Sequence, residues 1–253
     1  MASDFTSTPV STGFTPDAGP GKHRIGMILL SNDYATERDF INARPNDDVA
    51  LFFTRVENTS ECNVDTLPLM APHIKHAAAQ IIPEGRLDVM LYSCTSGTVV
   101  MGYDKICELI HASRPGIPVV TPITASLAAL DQFNAQTLAV LTPYVDDVNG
   151  AIAAHLESQG KDICAFTSFG IEDNEVMANL PPEAILRAAI EADRPEADAL
   201  FISCTAIRAV DVVDQIEQAI GKPVVTANQA MIWQALRWSG CHQPVAGYGQ
   251  LLR

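Results

Sequence analysis

Two short segments hold the residues best suited to chemistry. Ser93-Cys94-Thr95 follows the apolar run Asp88-Val-Met-Leu-Tyr, and Ser203-Cys204-Thr205 follows Asp198-Ala-Leu-Phe-Ile, an offset of 110 residues. A cysteine thiolate attacks carbon or removes a proton, and a thiol delivers one. A thiol placed after a strand and before a helix has its pKa lowered by the free N–H groups and dipole of the helix end, and both are expected to be acidified in this way. Thr95, Ser96 and Thr205 would supply hydroxyl and backbone donors for a carboxylate or enediolate. Either cysteine alone could be a small residue packed at a strand end. The duplication argues instead for two thiols presented to opposite faces of one small anion.

The elements that must position them alternate. Apolar runs at 25–30, 49–54, 89–92, 118–121, 138–142, 163–168, 199–203 and 223–226 read as strands. Helical periodicity falls between most of them, at 70–82, 103–112, 146–158, 182–191 and 209–220. Such alternation predicts an α/β chain built from parallel βαβ units, covered by helices on both faces. Each Ser-Cys-Thr segment is followed by a helix and then by the same tetrapeptide, Pro118-Val-Val-Thr121 or Pro223-Val-Val-Thr226. With the comparable segments 25–32 and 138–144, this makes an ordered internal repeat. We read two similar α/β halves of about 100 residues with strand ends facing across a cleft, where open parallel sheets bind ligands.

The rest of the composition sets limits. The chain has 253 residues, 47% of them hydrophobic, and a net charge of −14 with no basic cluster longer than Lys22-His23-Arg24. Nucleic acid is therefore not an expected partner. Apolar runs are too short for a membrane helix, and no apolar signal core follows Met1, so a cytoplasmic protein is expected. Six cysteines without a Cys-x-x-Cys pair fit free thiols. Cys62, Cys107, Cys164 and Cys241 lack a duplicated context and read as packing or strand residues, as do Trp233 and Trp238 in the last helical segment. His73 and His76 share a helical face, but nothing nearby completes a metal site, and no Gly-rich phosphate loop is present. Neither metal nor organic cofactor is expected. Residues 1–22, rich in Ser, Thr, Pro and Gly, read as an arm outside the fold.

The run Tyr92-Ser-Cys94-Thr-Ser-Gly-Thr-Val-Val-Met-Gly102, taken with Ser203-Cys204-Thr205, resembles the paired cysteine motifs of the aspartate/glutamate racemase superfamily. The similarity is strongest to its branch of maleate cis-trans isomerases and arylmalonate decarboxylases, including the ectoine-utilisation proteins grouped with it, and it spans residues 23–253. In the maleate isomerases a strand-end Asn, a Tyr and two Cys form the site; the resemblance places Asn32 and Tyr144 beside Cys94 and Cys204. Arylmalonate decarboxylases have glycine at the position of Cys94, followed by the Thr-Ser of a dioxyanion hole, kept here as Thr95-Ser96. Asp33 and Tyr34 depart from the small hydroxyl residues that follow the isomerase Asn. Arg208 could meet a further substrate charge or lie on a solvated helix face.

The resemblance implies two pseudo-symmetric lobes with the active site in the cleft between them. The expected division is an arm at 1–22, a first lobe of 23–130 plus 228–253, and a second lobe of 131–227. It implies a cofactor-independent isomerase or racemase of a small carboxylate or dicarboxylate, working as a homodimer. The alternatives are an arylmalonate-type decarboxylase with Cys204 as proton donor, and a two-lobed small-molecule binding protein.

Overall fold

The computed structural model describes residues 6–253; residues 1–5 of the expected arm lie outside them, and residues 6–22 carry no helix or strand. The first half runs β1 His23–Leu30, α1 Thr36–Asn42, β2 Val49–Val56, α2 Ala71–Gln80, β3 Val89–Tyr92, α3 Thr95–Met101, α4 Tyr103–His111, β4 Val119–Val120 and α5 Pro122–Gln132. The second runs β5 Thr137–Thr142, α6 Asp146–Ser158, β6 Asp162–Ser168, α7 Asn174–Ala178, α8 Pro182–Ala192, β7 Ala199–Ile202, α9 Val213–Ile220, β8 Val224–Thr226 and α10 Ala227–Trp238. The strands form two parallel four-stranded sheets, ordered β2-β1-β3-β4 and β6-β5-β7-β8. Central strands such as β3 and β7 are buried along their whole length, the continuous apolar pattern that helices on both faces demand.

The repeat is visible atom by atom. Asp88 accepts the Arg24 amide at 2.7 Å where β3 starts beside β1, and Asp198 accepts the Thr137 amide at 2.8 Å where β7 starts beside β5. The backbone amides of Thr137 and Gln136 hold the exposed Asp198 carboxyl below its ordinary pKa. At the other strand end, Ser93 donates its amide to Ile28 and Ser203 donates its amide to Leu141, both at 2.9 Å. The duplicated Pro-Val-Val-Thr also resolves: a short buried strand leads to a threonine that caps α5 or α10 in a reciprocal capping box. The two helices so launched pack against each other, and α10 continues onto α1 and β3 of the first sheet.

In each sheet the chain turns opposite ways from β1 and from β5, so the topological switch points lie between β1 and β3 and between β5 and β7. The segments after those four strands carry Asn32, Cys94, Tyr144 and Cys204. Two expectations change. The helix read over 209–220 begins as a 3₁₀ turn at Ala209–Val212 and becomes α-helical only at Val213. Trp238 is 47% exposed at the end of α10, whereas Trp233 packs on the core.

Candidate functional site

Cys94 is the N-cap of α3. Its backbone is extended, its Sγ accepts the Gly97 amide at 3.2 Å, and its carbonyl accepts the Thr98 hydroxyl at 2.7 Å. Cys204 follows β7 but starts no helix: Thr205 to Arg208 form a loop before the 3₁₀ turn. Its φ is +145°, a conformation that costs a non-glycine residue on the order of 1–3 kcal/mol unless its surroundings enforce it. The Ala206 amide donates to Cys204 Sγ at 3.3 Å. The two loops meet where the Thr205 hydroxyl donates to the Ser93 carbonyl at 3.3 Å.

Both thiols line one cavity of about 30 Å³, together with Thr95, Ser96, Tyr144 and Thr205. Six of the seven expected site residues thus converge. The seventh, Asn32, is half-buried outside the lining; its Oδ1 accepts Asn58 Nδ2 at 2.7 Å, and it is Asn58 that reaches the cavity. Tyr144 is held by its chain neighbours: its amide donates to Thr142 Oγ1 at 3.3 Å, and its carbonyl accepts Asn149 Nδ2 at 2.9 Å.

Ten of the sixteen lining residues carry no expectation of a site role from the sequence, Cys62, Asn58 and Asn174 among them. Cys62, read as packing, stands in the cavity wall with its Sγ 3.6 Å from Ser96 Oγ, the hydroxyl that also lies 3.8 Å from Cys94 Sγ. Asn58 sits in the loop after β2, and Asn174 opens α7 just beyond the loop after β6; β2 and β6 are the outer neighbours of the switch-point strands. These loops close the cavity jointly: the Cys62 amide donates to Glu172, and the Asn174 amide donates to Ser60, both at 2.9 Å. The available signal was position alone, since every strand-end loop of a parallel sheet opens on the same side. Arg208 does not enter; its guanidinium donates to the Leu180 carbonyl at 2.9 Å.

The electrostatics overturn the expected acidification. Burial pushes the Cys94 thiol up to about 11, outweighing the Gly97 amide and the Ser96 hydroxyl. Burial likewise raises the Cys204 thiol, against the opposing effects of the Tyr144 hydroxyl and the Ala206 and Ile207 amides. Cys62 is driven up by burial too. A helix end and a few N–H donors do not replace the hydration that a buried thiolate loses. Thr95 Oγ1, buried and without a hydrogen-bond partner, is left free for an incoming acceptor or donor.

Duplicated parallel sheets with one thiol loop from each half in a shared cavity define a two-lobed α/β class with paired cysteines. The chain belongs to the arylmalonate decarboxylase family, whose sequence profile matches residues 71–252. It is 25% identical to the maleate isomerase of Nocardia farcinica, covering 92% of this chain and 96% of that protein. It is 31% identical over 139 residues to the arylmalonate decarboxylase of Bordetella bronchiseptica, covering 54% of this chain and 58% of that protein. Its fold superposes on a cysteine-to-serine mutant of the Nocardia farcinica maleate cis-trans isomerase that carries a covalently bound succinylcysteine intermediate. That match has a TM-score of 0.83 at 24% identity and covers 91% of this chain and 98% of the other.

Proposed function

We propose that the protein is an isomerase or racemase of a small carboxylate, working through Cys94 and Cys204 without metal or organic cofactor. The observation that carries this reading is the convergence of two thiols, from symmetry-related loops, on one cavity. A planar substrate carbon between them can be met from both faces. One thiolate adds to an unsaturated carbon or removes an α-proton, and the opposite thiol gives its proton to carbon. In isomerisation, rotation about the now single bond is followed by return of the proton to the opposite thiolate and cleavage of the C–S bond, which restores the thiolate–thiol pair. In racemisation the product leaves with the protonation of the two sulfurs exchanged. Thr95, Ser96, Thr205 and Tyr144 bind and orient the carboxylate, and Asn32 steadies Asn58 at the cavity edge.

The matching family profile favours a second reading, decarboxylation of a substituted malonate with Cys204 as the proton donor. Within our reading the chain divides into a first lobe of 23–130 plus 228–253 and a second lobe of 131–227. It works as a cytoplasmic homodimer, and ectoine utilisation is a candidate setting. No helix among the described residues is long and apolar enough to cross a membrane.

The test is incubation with maleate, other small dicarboxylates, α-amino acids and substituted malonates in heavy water, followed by NMR. Cis–trans conversion or deuterium at an α-carbon, unaffected by a chelator, is expected for at least one substrate. Decarboxylation of a malonate without exchange elsewhere would favour the second reading, and no turnover of any of them would overturn both.

A pH prediction follows from the two raised thiols. Below its pKa, a thiol's thiolate fraction grows tenfold per pH unit. As kcat/KM reports the free enzyme, it should climb from pH 6 to beyond pH 9. A plateau already reached by pH 7 would contradict a buried, neutral resting pair.

A further inference from the structure

Behind the thiols lies a buried polar cluster that the proposed chemistry does not use. Asn228, in the first turn of α10, is 2% exposed. Its Nδ2 donates to Asp39 Oδ2 at 2.8 Å and to the Thr205 carbonyl at 3.0 Å, spending both hydrogens. Its Oδ1 lies 3.5 Å from the Thr36 hydroxyl, which is itself 3.0 Å from Ser93 Oγ. One side chain therefore reaches the residue after Cys204 directly and the residue before Cys94 through Thr36. Asp39 is anchored on α1, 1% exposed, with Arg38 at 3.3 Å and Arg38 in turn on Asp211 at 2.9 Å.

The loop that Asn228 holds is the one with the costly backbone. Cys204, at φ +145°, belongs to no helix or strand, so its conformation depends on what pins its neighbours. Among the described residues, Asn228 is the side chain that donates to the Thr205 carbonyl, and α10 fixes Asn228 through the Thr226 capping box two residues earlier.

We propose that Asn228 is a positioning residue that sets the Cys204 loop against the Cys94 loop. This rests on the two-thiol reading for its catalytic consequence, but not for its structural one. Asn228→Ala would free the Thr205 carbonyl and leave Asp39 without its amide donor. Asn228→Asp keeps the shape but sets a carboxylate against that carbonyl and against Asp39. In both variants the Cys204 loop should relax and admit water, which exposes the thiol and eases its ionisation. Asp39→Asn retains an acceptor oxygen for Asn228 and should behave almost as the parent.

The experiment is peptide-resolved alkylation by iodoacetamide, with the exposed Cys164 as internal standard. In Asn228→Ala and Asn228→Asp, Cys204 should be alkylated about tenfold faster or more, with Cys164 within twofold of the parent and Asp39→Asn unchanged. In the assay that detects turnover, kcat should fall about 10²-fold, the scale of a roughly 1 Å misplacement, with KM little moved. A folded Asn228→Asp protein with parental Cys204 alkylation overturns the proposal. If Asn228→Ala does not fold, Asn228→Asp decides alone. Absence of turnover in the parent would sink the two-thiol reading while leaving the alkylation result to stand or fall separately.

Discussion

Cys94→Ser and Cys204→Ser should each lower kcat/KM by about 10²–10⁴-fold, the scale set by loss of a positioned acid or base. That is roughly 3–5 kcal/mol of barrier. Serine keeps the shape of the side chain, yet its hydroxyl stays neutral at every pH the protein survives. Because the thiols act on one substrate carbon as a unit, the double variant should be scarcely worse than either single one. Circular dichroism and thermal melts should show all three folded, the stability loss being about a kcal/mol. The decarboxylase reading gives an asymmetric outcome: Cys204→Ser dead, Cys94→Gly still turning over a malonate. A folded Cys94→Ser protein with full activity would rule out the two-thiol mechanism.

Gly97→Ala should damage the protein as badly by adding one methyl group. A Cβ there would lie 2.8 Å from Cys94 Sγ, 3.0 Å from Met70 Cε and 3.2 Å from Tyr92 Oη. Met70 can swing its end away. Tyr92 cannot, since its ring is fully buried and its hydroxyl is 3.5 Å from Met70 Sδ. The thiol therefore moves, and the Gly97 amide that steadies it moves too. Overpacking of this kind costs about 1–3 kcal/mol of stability, and a shift near 1 Å at the reacting atom costs about 10²-fold in rate. Denaturant unfolding and kinetics on the same preparation check both numbers. Unchanged activity in Gly97→Ala would show that Cys94 need not stay where it is.

Both thiols and their convergence could be read from the chain because the signal was duplicated. A strand, a Ser-Cys-Thr and a downstream Pro-Val-Val-Thr recur together, and a repeat of that length fixes which strand ends are equivalent. Tyr144 and Asn32 needed the family resemblance, and Asn32 lies one residue removed from the cavity, behind Asn58. Cys62 and Asn174 carried no local pattern. They are brought in by hydrogen bonds between residues more than 100 positions apart, and such a closure leaves no periodicity in either segment. The thiols are raised rather than acidified for a related reason. The helix end at Cys94 is local and legible, whereas the desolvation that outweighs it depends on how completely both halves close. At Cys204 the expected helix end is itself absent, since polar residues after a strand do not say whether the chain coils at once or loops first.

The last helix gives the molecule a particular order of completion. α10 is made after everything else that bears on the cavity, yet it lies against α5, α1 and β3, and its Asn228 grips the loop behind Cys204. A chain halted after β8 already contains Cys94, Cys204 and every residue that lines the cavity, but lacks the side chain that ties the Cys204 loop to α1. Contacts so distant in sequence are the slow ones in folding. During synthesis the Asn228 contact to the Cys204 loop can therefore form only once α10 has emerged and docked.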